Sequence, residues 1–140
     1  MPTPVAHEST YRVPFADTDA MEIVYYGNYL KYFEIGRGEL FRALGHPFTN
    51  YIAQGQYLVV VDAYAKYHAP ARYDDVLRIR AWFDKLGRAT CKIAYEIRRE
   101  GSEAVLTTGH TSHGVVTSEG KLIRMPAELL ERVKELEAGA

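Results

Sequence analysis

Cysteine is almost missing from this chain: Cys91 is the single one in 140 residues. A disulfide framework is thereby excluded, and a reducing compartment is expected. Cys91 stands in an apolar run with no partner in view for a nucleophile or a metal site, so it reads as a buried structural thiol. Excess charge of either sign is missing too. With 17 Lys and Arg against 18 Asp and Glu, the formal net charge is -1, which gives no bulk attraction to nucleic acid or membrane. No apolar stretch is long enough to span a bilayer, and Met1 to Tyr11 has neither the basic end nor the apolar run of a signal peptide. A cytoplasmic protein is expected, with no membrane insertion and no nucleic-acid partner.

Hydrophobic residues at 47% and charged ones at 25% are the balance of a folded globular chain, and its length suits one domain over residues 1–140. Thr10 to Phe15 reads as a short first strand whose Pro14 suggests an edge or an irregular end. From Tyr26 to Leu44, Tyr26, Tyr29, Leu30, Phe33, Leu40, Phe41 and Leu44 recur mostly at spacings of three and four. That is one face of a helix roughly 28 Å long, stopped by Gly45. Gly36 and Gly38 each weaken it by about 1 kcal/mol relative to alanine, so a close approach of a sheet or of a sister subunit is expected there. Glu34 with Arg37, and Glu39 with Arg42, are spaced to pair along its surface.

A short helical turn is expected within His46 to Gln54, and then the period changes. Tyr57 to Tyr67 reads as a strand, Ala69 to Asp75 as a turn, and Leu77 to Phe83 alternates as a half-buried strand. After a hairpin at Lys85 to Arg88, Cys91 to Arg98 alternates in the same way, and Glu103 to Thr117 follows. A last helix, Ala127 to Glu137, is started by Pro126. Consecutive hairpins make an antiparallel sheet, and the long helix can bury its apolar face only against it. The fold class is α+β, a curved antiparallel sheet wrapped around one long helix, with a C-terminal helix. A sheet with exposed edges and a bare face also predicts a homodimer or homotetramer.

Chemistry is expected where the first strand meets the long helix. Phe15-Ala16-Asp17-Thr18-Asp19 and the following turn deliver carboxylates beside a helix N-terminus, whose unpaired N–H groups and partial positive charge can polarise a carbonyl oxygen. Asp17, Asp19 and Glu22 lack the length and the glycine of a calcium loop, so no metal is expected.

These residues carry a resemblance. Phe15-Ala16-Asp17-Thr18-Asp19, Ile23-Val24-Tyr25-Tyr26, Asn28-Tyr29 and Glu34 resemble the D-x-D, valine-aromatic, N-Y and E signature of the hot-dog-fold acyl-CoA thioesterases, in the 4-hydroxybenzoyl-CoA thioesterase and YbgC-like branch. Tyr67-His68-Ala69-Pro70-Ala71-Arg72-Tyr73-Asp74-Asp75-Val76-Leu77 is similar to that family's Y-D-D segment. The resemblance implies the hot-dog fold, an acyl-CoA substrate and no cofactor beyond the coenzyme A of that substrate. It makes Asp19 the catalytic carboxylate and Tyr26 the residue whose backbone N–H polarises the thioester carbonyl. Tyr25, Gly27 and Asn28 would border the substrate, and Arg88 and Thr90 would help hold coenzyme A. It also implies a pantetheine arm lying along a subunit interface. Glu22 departs from the pattern, standing where many members have glycine, which would tolerate a positive φ.

Asp19 can attack the carbonyl to give a mixed anhydride, or take a proton from water as general base. Asp17 reads as structural, its carboxylate tying the turn to backbone N–H groups, and Asn28 by default bonds at the helix start. His68, His110 and His113 have no carboxylate partner in sequence and read as packed or surface residues. The alternative to an enzyme is a non-catalytic acyl-CoA or acyl-carrier-protein binding module of the same fold. A hot-dog dehydratase is disfavoured because the turn and helix offer no histidine.

Overall fold

A computed structural model of the chain describes residues 5–138; the first four residues of the polar N-terminus and the last two of the chain lie outside the described residues. Six strands form one antiparallel sheet: β1 (Ala6–Arg12), β2 (Gln56–Tyr67), β3 (Val76–Leu86), β4 (Thr90–Arg99), β5 (Val105–Thr117) and the two-residue β6 (Leu122–Ile123). Against it lie α1 (Asn28–Ala43), α2 (Phe48–Ala53) and α3 (Ala127–Ala138). The main path across the sheet is β1-β3-β4-β5-β2, with β6 paired to β5. This is the expected hot-dog architecture, α1 lying along the concave face.

Two expectations need correction. The first strand begins earlier than Thr10, because Ala6 to Arg12 pair residue for residue with Trp82 to Val76 of β3. Backbone pairing holds polar residues such as His7 and Glu8 there, and these carry no alternation to read. The strand also ends earlier, at Arg12, and Phe15, expected as its last residue, opens a single 3-10 turn, Phe15–Asp17, instead. The strands also do not run as a simple series of hairpins. β2 pairs with β5 at the far edge of the sheet, so the segment from Ala69 to Asp75 is a crossover that returns the chain to β3 beside β1.

The core forms where α1 meets β3 and β4. Phe33 stacks on Tyr95 with centroids 4.3 Å apart, and Tyr32, Leu40 and Phe41 are buried with Ile79, Ile93 and Ile97. Gly36 explains how the helix comes so close: a Cβ there would stand 2.7 Å from Ile79 Cγ2. Gly38 has no such contact within the chain, its would-be Cβ lying 3.9 Å from Phe48, so the close approach of the sheet is seen at Gly36. Glu39 pairs with Arg42 as spaced, whereas no ion pair joins Glu34 to Arg37 among the described residues. Cys91 is buried, and that burial pushes its thiol up to about 12, as suits a structural role.

His113 is buried on β5 within a polar chain. Its Nε2 lies 2.6 Å from Thr111 Oγ1, its Nδ1 3.2 Å from the Val59 carbonyl, and Thr111 Oγ1 is 2.5 Å from Tyr95 OH. Burial, and then the charge of Arg37, push the imidazole down to about 4. An unfolded chain takes up that proton near pH 6.5, so the stabilising contribution is complete above pH 6.5 and is lost as pH falls towards 4, roughly 3 kcal/mol in all. Urea unfolding at pH 7 and pH 4.5 checks this: His113→Gln is expected to remove a large part of the wild-type loss. An unchanged difference between the two pH values would contradict it.

Candidate active site

The turn between the 3-10 helix and α1 is closed by backbone pairing that sequence patterns do not reveal. Thr18 bridges Val24 and Ile23 bridges Arg72. Asp19 N–H donates to the Ile23 carbonyl at 2.9 Å, and Val24 N–H donates to the Ala71 carbonyl at 2.9 Å. Tyr73 N–H reaches the Glu22 carbonyl at 3.3 Å, and Ala71 N–H donates to Tyr29 Oη at 3.1 Å. The two sequence blocks, some fifty residues apart, therefore form one structure: the crossover from Ala69 to Asp75 is the wall against which the carboxylate turn is built.

Glu22 has φ of 63°, the left-handed conformation that a glycine would take at low cost. The turn therefore has the shape expected of a glycine, held by a residue that pays for it with about 1–2 kcal/mol of steric strain. Glu22→Gly is expected to keep the turn and to stabilise the protein by roughly 0.5–1 kcal/mol, strain relief being partly offset by the freer unfolded chain. Thermal melting checks this, and a destabilised variant would show that the Glu22 side chain makes a favourable contact.

The two aspartates have different surroundings. Asp17 is buried. Its Oδ2 accepts from Tyr32 OH at 2.8 Å and, at 3.4 Å, from Tyr11 OH; its Oδ1 pairs with Lys31 Nζ at 2.6 Å. The expectation of a structural Asp17 holds, but its carboxylate is tied to these side chains and not to backbone N–H groups, because the 3-10 turn aims it at α1. Burial opposes the Lys31 charge, yet the hydrogen bond and charge of Asp17 outweigh it and raise Lys31. Burial and then the Asp17 hydrogen bond push the Tyr32 hydroxyl far up, so it remains a donor. Asp19 is exposed. Its Oδ1 accepts from Met21 N–H at 2.8 Å, and no described group donates to its Oδ2.

At the start of α1, Tyr25 N–H donates to the Asp17 carbonyl at 3.0 Å and Asn28 N–H to the Tyr25 carbonyl at 2.9 Å. Among the described residues the N–H groups of Tyr26 and Gly27 have no backbone acceptor. Their peptide planes are nevertheless fixed. The Tyr25 carbonyl is held by Asn28, and the Tyr26 carbonyl accepts from Tyr29 N–H at 3.3 Å and from Tyr67 OH at 3.1 Å. In a trans peptide the N–H opposes the carbonyl, so both amides point out of the helix start, where the dipole favours negative charge. Tyr26 and Tyr67 also line an open depression of about 390 Å³ with His68 and Pro70. Tyr67 opens the second sequence block, but nothing in that block indicated its bond to Tyr26.

Of the other candidate residues, Asn28 uses its side-chain amide to donate to the Asp17 carbonyl at 2.8 Å. The Tyr25 ring lies over Gly27, where a Cβ would come within 2.9 Å of it. Arg88 and Thr90 are exposed in the β3–β4 connection and at the start of β4. The turn adjoins the opposite end of β3, so within one chain they stand roughly 30 Å away from it at 3.3 Å per strand residue. Among the described residues no group of three or more His, Cys, Asp and Glu could hold a metal ion, and no helix is long and apolar enough to cross a membrane.

A family model of the thioesterase superfamily matches residues 21–106. The chain belongs to the thioesterase superfamily. A candidate esterase of Aquifex aeolicus is 36% identical over 124 residues, covering 89% of this chain and 94% of its own. The acyl-CoA thioester hydrolase YbgC of Escherichia coli is 38% identical over 71 residues, 49% of this chain and 52% of that protein. Among solved structures, the DHNA-CoA thioesterase of Staphylococcus aureus superposes with a TM-score of 0.89 at 26% identity, covering 95% of this chain and 91% of the other. In this thioesterase the family match begins just after Asp19, so the role of that carboxylate rests on the local geometry.

Proposed function

We propose that this thioesterase hydrolyses acyl-CoA thioesters to coenzyme A and a carboxylic acid, with Asp19 as nucleophile or general base. The observation that carries the proposal is the pair of fixed, unaccepted amides at Tyr26 and Gly27 on the turn that holds an exposed Asp19 with one free carboxylate oxygen. A thioester carbonyl oxygen hydrogen-bonded to those amides develops its charge where the helix dipole is favourable, and such donors act most strongly because they need no reorganisation. Asp19 would supply the attack, either directly on the carbonyl or through a water.

The site is open in one chain. Phe15, Met21, Tyr25 and Tyr26 are 62%, 73%, 49% and 63% exposed, an apolar rim that supports completion by a second subunit. Arg88 and Thr90 fit a coenzyme A role only as residues contributed from another copy. The single cysteine, Cys91, buried as a free thiol, supports a reducing, cytoplasmic location.

Thiol release across a panel of acyl-CoAs tests the activity: turnover on at least one is expected. Saturable binding with no release from any would favour the non-catalytic binding module. Tyr67 would serve as a positioning residue, and Tyr67→Phe is expected to lower kcat about tenfold with little change in KM, since only the aim of an oxyanion donor is loosened. A rise in KM with kcat intact would assign Tyr67 to binding instead.

A further inference from the structure

A second cavity, about 270 Å³, lies beside the C-terminal half of α1, between α2, β2 and the start of α3. Its walls are mainly apolar, with Phe48, Ile52, Leu58 and Leu129 among them. It also holds polar groups, Tyr51 and Arg37 among them. The Tyr51 hydroxyl is buried with no hydrogen-bond partner. Arg37 faces the cavity, partly buried, and makes no ion pair among the described residues. Buried polar atoms are ordinarily paired, so an orphaned donor in a cavity wall points to something that occupies the space.

The cavity is aligned with the proposed catalytic turn. Leu30, Glu34, Arg37 and Phe41 are spaced by four, three and four, so they fall on one face of α1, and Tyr26, just before the helix, stands one further step of four ahead of Leu30. Tyr26 lines the depression at the turn, and Glu34, Arg37 and Phe41 line the cavity. Between them Leu30 is 44% exposed, leaving that face uncovered. At 1.5 Å per residue the distance from Tyr26 to Glu34 and Arg37 is roughly 12–17 Å.

We infer that this cavity receives the far end of the acyl group, an extended chain of roughly ten to fourteen carbons at ~1.3 Å per carbon, and prefers one ending in a neutral, hydrogen-bond-accepting oxygen. The inference rests on the acyl-CoA reading above and names the substrate class. A second carboxylate at the chain end is disfavoured on balance: Arg37 sets one positive charge in the wall, but Glu34 lines the same cavity and Glu128 is close enough to Tyr51 to act on it, two carboxylates against one cation. Burial, and then Glu128, push the Tyr51 hydroxyl up to about 12, so it stays protonated as a donor. The volume suits such an end, since an apolar cavity of about 150 Å³ already accommodates benzene.

The test compares butanoyl-, dodecanoyl- and 12-hydroxydodecanoyl-CoA on wild type, Ile52→Trp and Tyr51→Phe, and in parallel titrates dodecanoic acid into each protein. Ile52 is half exposed on α2, so tryptophan there can fill the cavity without entering the core; Tyr57→Trp is the second filling variant should the first not fold. Wild type is expected to favour dodecanoyl over butanoyl at least tenfold in kcat/KM, and Ile52→Trp to shift that ratio at least tenfold towards butanoyl. Tyr51→Phe is expected to abolish a preference for the hydroxylated chain. Dodecanoic acid should bind wild type and bind Ile52→Trp at least tenfold more weakly. If the acid binds in this way while no acyl-CoA is hydrolysed, the acyl-CoA reading fails and the cavity assignment stands. If acyl-CoAs are hydrolysed but neither chain-length ratio nor acid binding responds to filling the cavity, the assignment is overturned.

Discussion

Asp19→Asn is expected to lose turnover on acyl-CoA by a factor of about 100 or more while folding as wild type does. The structural half follows from the turn. Asp19 Oδ1 accepts a 2.8 Å hydrogen bond from Met21 N–H, and an asparagine carbonyl oxygen can accept the same bond in the same place. The backbone pairs from Asp19 to Ile23 and from Glu22 to Asp19 do not involve the side chain. What the substitution removes is the negative charge and the basic oxygen, which either route of attack requires and which typically contribute 10²–10⁴-fold. Coenzyme A release by the purified variant, with its melting temperature as control, measures both halves. Wild-type turnover in a folded variant would remove Asp19 from the chemistry.

The neighbouring carboxylate should behave in the opposite way. Asp17→Ala is expected to cost about 2–4 kcal/mol of stability, because the buried carboxylate is the common acceptor for Tyr32, Tyr11 and Lys31. Hydrogen bonds to a charged group contribute about 1.5–3 kcal/mol each, and a buried donor left without its acceptor adds a desolvation cost. Lys31 is partly in water, so its share of that loss is small. Tyr32 is fully buried and has nowhere else to donate. Asp17→Asn keeps an acceptor for Tyr32 and should lose about half as much. Urea unfolding of the pair separates the contributions. Equal stability of Asp17→Ala and wild type would show that the cluster is not holding the turn to α1.

The pairing of these two aspartates shows how far the sequence could be read. The motif singles out Asp19 as the candidate carboxylate and leaves Asp17 a structural part, which the structure gives it, but the partners of Asp17 lie on β1 and near the start of α1. No spacing rule links Tyr11, Lys31 and Tyr32 to it. The strands with one buried face, β3 and β4, were legible because Ile79, Ala81, Ile93 and Tyr95 alternate with polar residues. β1 was displaced because its residues are polar and its place is set by backbone pairing with β3. The crossover from Ala69 to Asp75 read as a turn, since composition marks a break in the chain but not which strand comes next. Its contact with the carboxylate turn is made almost wholly by backbone groups, as in the Val24 to Ala71 bond, and these leave no trace in side-chain patterns. Glu22 was legible as an irregularity; its left-handed backbone is the physical reason glycine suits that position.

One sample can test the central claim directly: folded Asp19→Asn mixed with an acyl-CoA that the wild type turns over, with bound thioester and released thiol followed together. The account predicts saturable binding of intact acyl-CoA, close in affinity to the wild-type KM, and thiol release at about one hundredth of the wild-type rate or less. Binding accompanied by thiol release at the wild-type rate would contradict it.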